Sequence, residues 1–167
     1  FDPLDFNPYL RWIDPISEIA FLKMDLESND KINFSNIFLN SWLESTGDYL
    51  GLNLLPWYES YRAIVRAKVN GIKYNQVSED NYLINTNKQS LELISNDINK
   101  YINIAEKCLK GKPASLIIMH GLSGNGKSFL SKILSTHLNA IRIRSDTERL
   151  RLKSLNKRIS TQNLTVE

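Results

Sequence analysis

One run of eight residues constrains this chain more than any other feature: Gly121, Leu122, Ser123, Gly124, Asn125, Gly126, Lys127 and Ser128. It satisfies G-x-x-x-x-G-K-[ST], the Walker A pattern, in full. Gly121, Gly124 and Gly126 can take backbone angles closed to other residues, so successive N–H groups can turn inward around a phosphate. A helix starting near Gly126 adds its positive dipole end at the same spot. Lys127 is then placed to reach the β- and γ-phosphates, and the Ser128 hydroxyl to ligate Mg²⁺. A plain glycine-rich turn does not account for Lys-Ser at that register.

The flanks supply the context such a loop needs. Residues 114–119 form a continuous apolar run of strand length, the pattern of a strand buried on both faces. Helical spacing follows over 127–138, and residues 140–144 read as a second short strand. This strand–loop–helix–strand order predicts the first βαβ unit of a P-loop NTPase parallel sheet, making the chain α/β overall. Asp146 follows the second predicted strand, at the carboxyl edge where open α/β sheets bind ligands. Asp146 and Arg149 are three apart and lie on one helix face. The carboxylate can accept a proton from a substrate hydroxyl and the arginine can hold a charged group, or Ser145 or Asp146 can simply cap the next helix. His120 and His137 read as structural, and no Cys/His cluster has metal-site spacing.

Upstream the texture is helical. Asp14 can cap a helix that has Pro15 in its first turn and Ile16, Ile19, Ala20, Phe21 and Met24 at helical spacing. A second helix is predicted over 35–46, with Ile37, Phe38 and Trp42 inward and Gly47 as its stop. A third begins at Pro56 and ends before Gly71, and its stripe of Trp57, Tyr58, Tyr61, Ile64, Val65 and Val69 reads as core rather than a base-stacking platform. The Asn-rich stretch 72–88 is predicted to be a loop. A long helix over 89–110 then ends at Gly111, Lys112 and Pro113. The expected division is a helical segment, 1–112, and a P-loop segment, 113–167. The last residues read as a basic helix, 151–158, and a polar tail.

Composition narrows the classes. Among 167 residues, 42% hydrophobic and 23% charged exclude wholesale disorder and fibrous repeats. No apolar run approaches a membrane span, so no membrane partner is expected. The single cysteine, Cys108, favours a reducing, cytoplasmic home. The opening Phe1, Asp2, Pro3, Leu4 and Asp5 does not read as a secretory leader, and a start on Phe suggests a missing N-terminus. The net charge of +3 is unevenly spread: residues 1–60 hold ten acids against three bases, and the remaining 107 residues carry +10. A basic segment of this kind can handle phosphate or nucleic acid, or be a solvated face; nucleic acid is not the favoured partner.

The loop at 121–128, with Ile141, Arg142, Ile143, Arg144, Ser145, Asp146, Thr147, Glu148 and Arg149 after it, resembles the P-loop small-molecule and polynucleotide kinases. The resemblance implies Asp146 as the substrate-hydroxyl base and Arg149 as a substrate contact. A broader likeness rests on 1–7, 10–14, 18–26, 46–49 and 61–69. These blocks are similar to the bacterial bifunctional aminoglycoside-phosphotransferase-like and ATP-binding proteins, which fuse the helical lobe of a kinase-like phosphotransferase to a P-loop domain. In that family an H-G-D loop lies just upstream, and Asp2 would match the metal-binding Asp that follows it. Glu18 stands where an Asp is typical, and 72–88 resembles no block of the family.

Together these readings predict an ATP-binding, Mg²⁺-dependent kinase-type protein acting on a small hydroxyl acceptor. Lys127, Asp146 and Arg149 would be catalytic, residues 121–128 would bind nucleotide, and Ser128 and Asp2 would hold metal. Lacking an acidic third-strand end and lid arginines, 1–167 alone is expected to be inactive. The alternative is a nucleotide-dependent switch without phosphotransfer.

Overall fold

The structure, a computed structural model, describes residues 12–79, 84–111 and 114–163. It contains helices α1 (Pro15–Ser28) and α2 (Ile32–Thr46), a 3-10 turn (Leu50–Asn53), and helices α3 (Leu55–Glu79), α4 (Ile84–Leu109), α5 (Lys127–His137) and α6 (Ser145–Asn163). Two compact units result. One joins Phe1–Lys31 with Leu50–Ser115, and the other joins Ile32–Tyr49 with Leu116–Glu167.

The first unit is built by α1, α3 and α4. Asp14 caps α1 as its sequence position predicts, its Oδ1 accepting from the Ile16 N–H at 3.0 Å, with Pro15 next in line. Ile16, Ala20 and Met24 are buried, and Met24 packs with Ala63 of α3 and Ala105 of α4. Small residues at the two latter positions let the helix backbones approach closely. Phe21, Tyr101 and Ile104 close over this contact, and the guanidinium groups of Arg62 and Arg66 lie 5.1 and 4.9 Å from the Phe21 ring centre.

Beside this apolar contact lies a buried ionic cluster that the residue pattern did not announce. Lys23 Nζ sits 2.7 Å from Glu27 Oε1, one turn on in α1, and 2.6 Å from Glu59 Oε1 of α3. Lys23 and Glu59 are 7% and 6% exposed. Glu59 Oε1 has no aligned hydrogen bond, so its contact with Lys23 is one of charge proximity. On the other side Cys108 of α4 directs its Sγ–H toward Glu59 Oε2 at 3.6 Å. Burial works against the Lys23 ammonium, but two flanking carboxylates outweigh it and raise its pKa. Burial raises Glu59 as well, and it pushes the Cys108 thiol up to about 12, with Glu59 adding repulsion.

The thiolate is the reactive form of cysteine, so this placement has a measurable result. Cys108 is expected to react with iodoacetamide at pH 8 at least about tenfold more slowly than an ordinary exposed thiol, and to reach the ordinary rate in urea. An equal rate in the folded protein would contradict the placement. Because the folded thiol ionises above its ordinary value of 9.0, its contribution to stability is complete below pH 9 and is lost as pH rises toward about 12.

Three sequence expectations for the helices are corrected. The described residues of 72–88 are not a loop: α3 continues through Gly71 to Glu79, and α4 begins at Ile84, while 80–83 lie outside the described residues. A helical glycine costs only about 1 kcal/mol relative to alanine, which packing along α4 offsets. The α3 stripe is not core either. Trp57, Tyr61, Ile64 and Val69 are half or more exposed, and the face turned inward carries Leu55, Glu59, Ser60, Ala63 and Ala67. Trp57 and Tyr61 stack on each other at 5.8 Å instead. In α2, Ser35, Asn36, Leu39 and Leu43 are buried, while Ile37 is exposed. Apolar periodicity failed in both helices because small and polar residues take the close contacts.

The fold-class expectation is also overturned. No strand occurs among the described residues, so there is no βαβ unit or parallel sheet among them, and they are mostly helical. A strand exists only through a neighbour that exchanges N–H and C=O groups with it, and an apolar run specifies extended backbone without supplying that neighbour. Residues 114–119 belong to no regular element, with Leu116, Ile117 and Ile118 at 86%, 56% and 78% exposure. Residues 140–143 also belong to no regular element, and the Ala140 carbonyl and the Arg142 N–H are taken by the Asn40 side chain of α2 rather than by a strand. The predicted basic helix is part of α6, which takes in the tail as far as Asn163; 164–167 lie outside the described residues.

Candidate functional site: the glycine-rich loop and its neighbours

The second unit carries the glycine-rich loop. Gly121, Gly124 and Gly126 have φ of +143°, +86° and +72°. The three glycines of the motif are therefore in the region that disfavours side chains. At Gly124 and Gly126 an added Cβ would meet nothing within 4 Å, so the requirement is one of backbone angle and not of space. The Asn125 N–H closes a turn onto the Leu122 carbonyl at 3.4 Å, and Gly126 stands at the N-cap of α5 with no side chain to satisfy the free N–H groups there.

The loop is open to solvent: Leu122, Ser123, Asn125 and Ser128 are all exposed. Lys127 arches back over it, its Nζ donating to the carbonyls of Gly121, at 2.7 Å, and of Leu122. Ser128 lies in the first turn of α5, its carbonyl accepting from Ser131 Oγ. The residues fit a phosphate group by three features: a left-handed glycine turn, an uncapped helix N-terminus and an ammonium within the loop's reach. Ser128 is one oxygen ligand available to Mg²⁺. Among the described residues no group of three or more His, Cys, Asp or Glu side chains could hold a metal ion. Asp2, the other residue expected to hold metal, lies outside the described residues.

From α5 the chain passes through Asn139, at φ +51°, into residues 140–144, which belong to no regular element, and then α6. Ile117, Met119, Leu134, Leu138, Ile141 and Ile143 line a shallow apolar hollow between α5 and the segments on either side of it. Asp146 sits exposed in the first turn of α6, which also holds the half-buried Glu148, where carboxylates complement the helix dipole. Arg144 Nη2 bonds Asp146 Oδ2 at 2.7 Å, and this bond holds the Asp146 carboxyl below its ordinary pKa. The same guanidinium reaches Glu44 Oε1 of α2 at 2.8 Å, and its own pKa is raised, first by Asp146 and then by Glu44. Asp146 is thus an ionised acceptor paired with a cation, and it also accepts N–H bonds from the helix start. Arg149 is exposed in the same turn. His120 and His137 are exposed.

The residues that sequence reasoning missed come from α2. Asn36, Asn40 and Glu44 recur every fourth position and hold the segment between α5 and α6. Asn36 donates to the Thr136 carbonyl at 2.8 Å; Asn40 donates to the Ala140 carbonyl at 3.1 Å and accepts from the Arg142 N–H at 2.7 Å. Arg151 donates to the Glu44 carbonyl at 2.6 Å and pairs with Glu148, which also accepts from Tyr49. Its guanidinium lies where a Cβ on Gly47 would fall, 2.6 Å away, and Gly47 has φ +77°. The available signal was the four-residue spacing of polar side chains on α2, hidden by the apolar residues between them.

Residues 116–166 match the family described as the AAA domain, and this supports a P-loop nucleotide-binding segment of kinase-like type. The match does not extend into the helical residues before it. Over 152 residues, 91% of its length, the chain is 30% identical to a protein of Mycobacterium bovis and to two of Mycobacterium tuberculosis strains, all three titled as uncharacterized. The chain spans 28% of the length of these relatives. No solved structure matches the chain. Among the described residues no helix is long and apolar enough to cross a membrane.

Proposed function

We propose that the chain belongs to a cytoplasmic ATP-binding protein of the kinase type, transferring the γ-phosphoryl group to a small hydroxyl acceptor with Mg²⁺. The observation that carries the reading is the loop itself: three glycines at positive φ, ending on an uncapped helix that begins Lys127-Ser128. In this reading residues 121–128 cradle the phosphates, Lys127 leaves the loop carbonyls for the β- and γ-phosphates, and Ser128 holds Mg²⁺. Bound Mg²⁺ would neutralise charge on the phosphate oxygens. Asp146 orients the acceptor hydroxyl and accepts its proton, with Arg149 as a substrate contact. A carboxylate held ionised by Arg144 is a weak base, which suits phosphoryl transfer, because a loose transition state asks mainly for positioning and charge stabilisation.

The helical residues keep their resemblance to a phosphotransferase lobe as part of the proposal, with Asp2 as a metal ligand there. The reading is tested by ADP release from Mg·ATP in a panel of hydroxyl acceptors, using the intact gene product. Acceptor-dependent release is expected to fall at least about a hundredfold in Asp146→Asn, within the usual range for an acid–base residue. Tight ATP binding with no acceptor-dependent release would favour a nucleotide-driven switch instead.

A further inference from the structure

Two segments without regular structure flank α5, and they are treated differently. Leu116, Ile117 and Ile118 stand exposed, whereas in 140–142 the Ala140 carbonyl and the Arg142 N–H are both taken by a single side chain. Asn40 presents one acceptor and one donor in the order that a neighbouring strand would, Oδ1 to the Arg142 N–H and Nδ2 to the Ala140 carbonyl. The opposite amide orientation would set donor against donor and acceptor against acceptor. Nδ2 also donates to the Asn36 carbonyl at 2.9 Å, which ties the amide to its own helix. One turn earlier, Asn36 is 2% exposed and grips the last turn of α5 through Thr136; one turn later, Glu44 holds Arg144. A single helix face therefore fastens the end of the loop-bearing helix, the segment leaving it, and the arginine paired with Asp146.

We infer that Asn40 is a positioning residue: by acting as a surrogate strand for residues 140–142, it fixes the Arg144–Asp146 turn at a set reach from the glycine-rich loop. Helix α2 is then a working part of the nucleotide unit, although it lies some 70 residues before that unit in the chain. The attachment stands on the geometry alone. The consequence for Asp146 rests on the phosphoryl-transfer reading above.

The test uses the full chain, labelled for amide detection, with Asn40→Leu and Asn40→Asp. Leucine removes both hydrogen bonds, and aspartate keeps the acceptor for Arg142. In the unsubstituted protein the Arg142 amide should exchange with solvent at least about tenfold more slowly than that of Ile143; Asn40→Leu should erase the difference and Asn40→Asp should retain it. If the leucine variant does not fold, Asn40→Ser carries the same expectation. Mn²⁺·ATP then serves as a paramagnetic probe. It should broaden the amides of Gly126 to Ser128 in all variants, and that of Asp146 in the unsubstituted and aspartate proteins, with at least half of the latter effect lost in Asn40→Leu. Arg142 exchange that ignores Asn40→Leu would overturn the attachment. Asp146 broadening that ignores it would overturn the positioning role. Absence of broadening near Ser128 would overturn the nucleotide reading, and Arg142 exchange would still decide the attachment.

Discussion

Lys127→Ala is expected to weaken Mg·ATP binding by about ten- to a hundredfold while leaving the fold intact. The magnitude follows from the bond removed. A hydrogen bond from an ammonium to a charged phosphate is worth about 1.5–3 kcal/mol, and each 1.4 kcal/mol is tenfold in affinity. The fold should survive because Lys127 lies in an open loop, where its two bonds go to exposed carbonyls and can be replaced by water. Lys127→Arg should recover only part of the affinity, since a planar fork cannot replace a point charge inside a tight turn. Calorimetric titration gives the affinity, and circular dichroism on the same samples shows whether the helices persist. Equal affinity in the parent protein and Lys127→Ala would remove the phosphate-binding assignment.

The largest effect on stability is expected from Lys23→Ala, about 3–5 kcal/mol at pH 8 by urea unfolding. That cost is the price of the buried Glu59 carboxylate left at the junction of α1 and α3 without its cation. A domain stable by about 5–15 kcal/mol would lose much of its margin. The sign with pH is fixed by Glu59, whose folded pKa burial raises above the ordinary 4.5. Stability associated with its neutral form is fully present below the unfolded value and is lost as pH rises through the raised one. The destabilisation in Lys23→Ala should therefore be smaller at pH 5 than at pH 8. The double variant Lys23→Met with Glu59→Leu should be close to neutral, because apolar packing of similar volume often replaces a buried ion pair without loss. A pH-independent loss in Lys23→Ala would show that the ammonium's charge is not what matters there.

Legibility differed from element to element. Helix α1 was readable at its start and along its face, because its signals are local: a side-chain cap at Asp14, a proline in its first turn, and apolar residues at helical spacing. The glycines of the loop were readable for the same reason, each backbone angle being a property of its own residue. Helix α3 was misread at both its end and its face. Gly71 looked like a stop, but a single glycine is a small cost beside an interface the length of a helix. Trp57 and Tyr61 looked like core, yet α3 turns its small residues Ala63 and Ala67 to its neighbours, since these allow closer approach. Lys23 and Glu59 entered the sequence reading only as charges in a tally. Only the meeting of α1, α3 and α4 puts them beside one another and next to Cys108.

By itself the sequence determined the left-handed glycine turn within 121–126 and the start of α1 at Asp14 and Pro15. Each of these depends on residues a few positions apart, so the free energy that selects them is present in the segment alone. Tertiary structure decided what those segments lean on. Helix α2 groups with the loop-bearing residues through bonds spanning about 100 positions, such as Asn40 to Arg142 and Glu44 to Arg144. A backbone N–H needs an acceptor when it leaves water, but nothing in its own segment specifies whether a strand or an asparagine will supply it. That choice set the surroundings of Asp146, and it could be read only once the chain had folded.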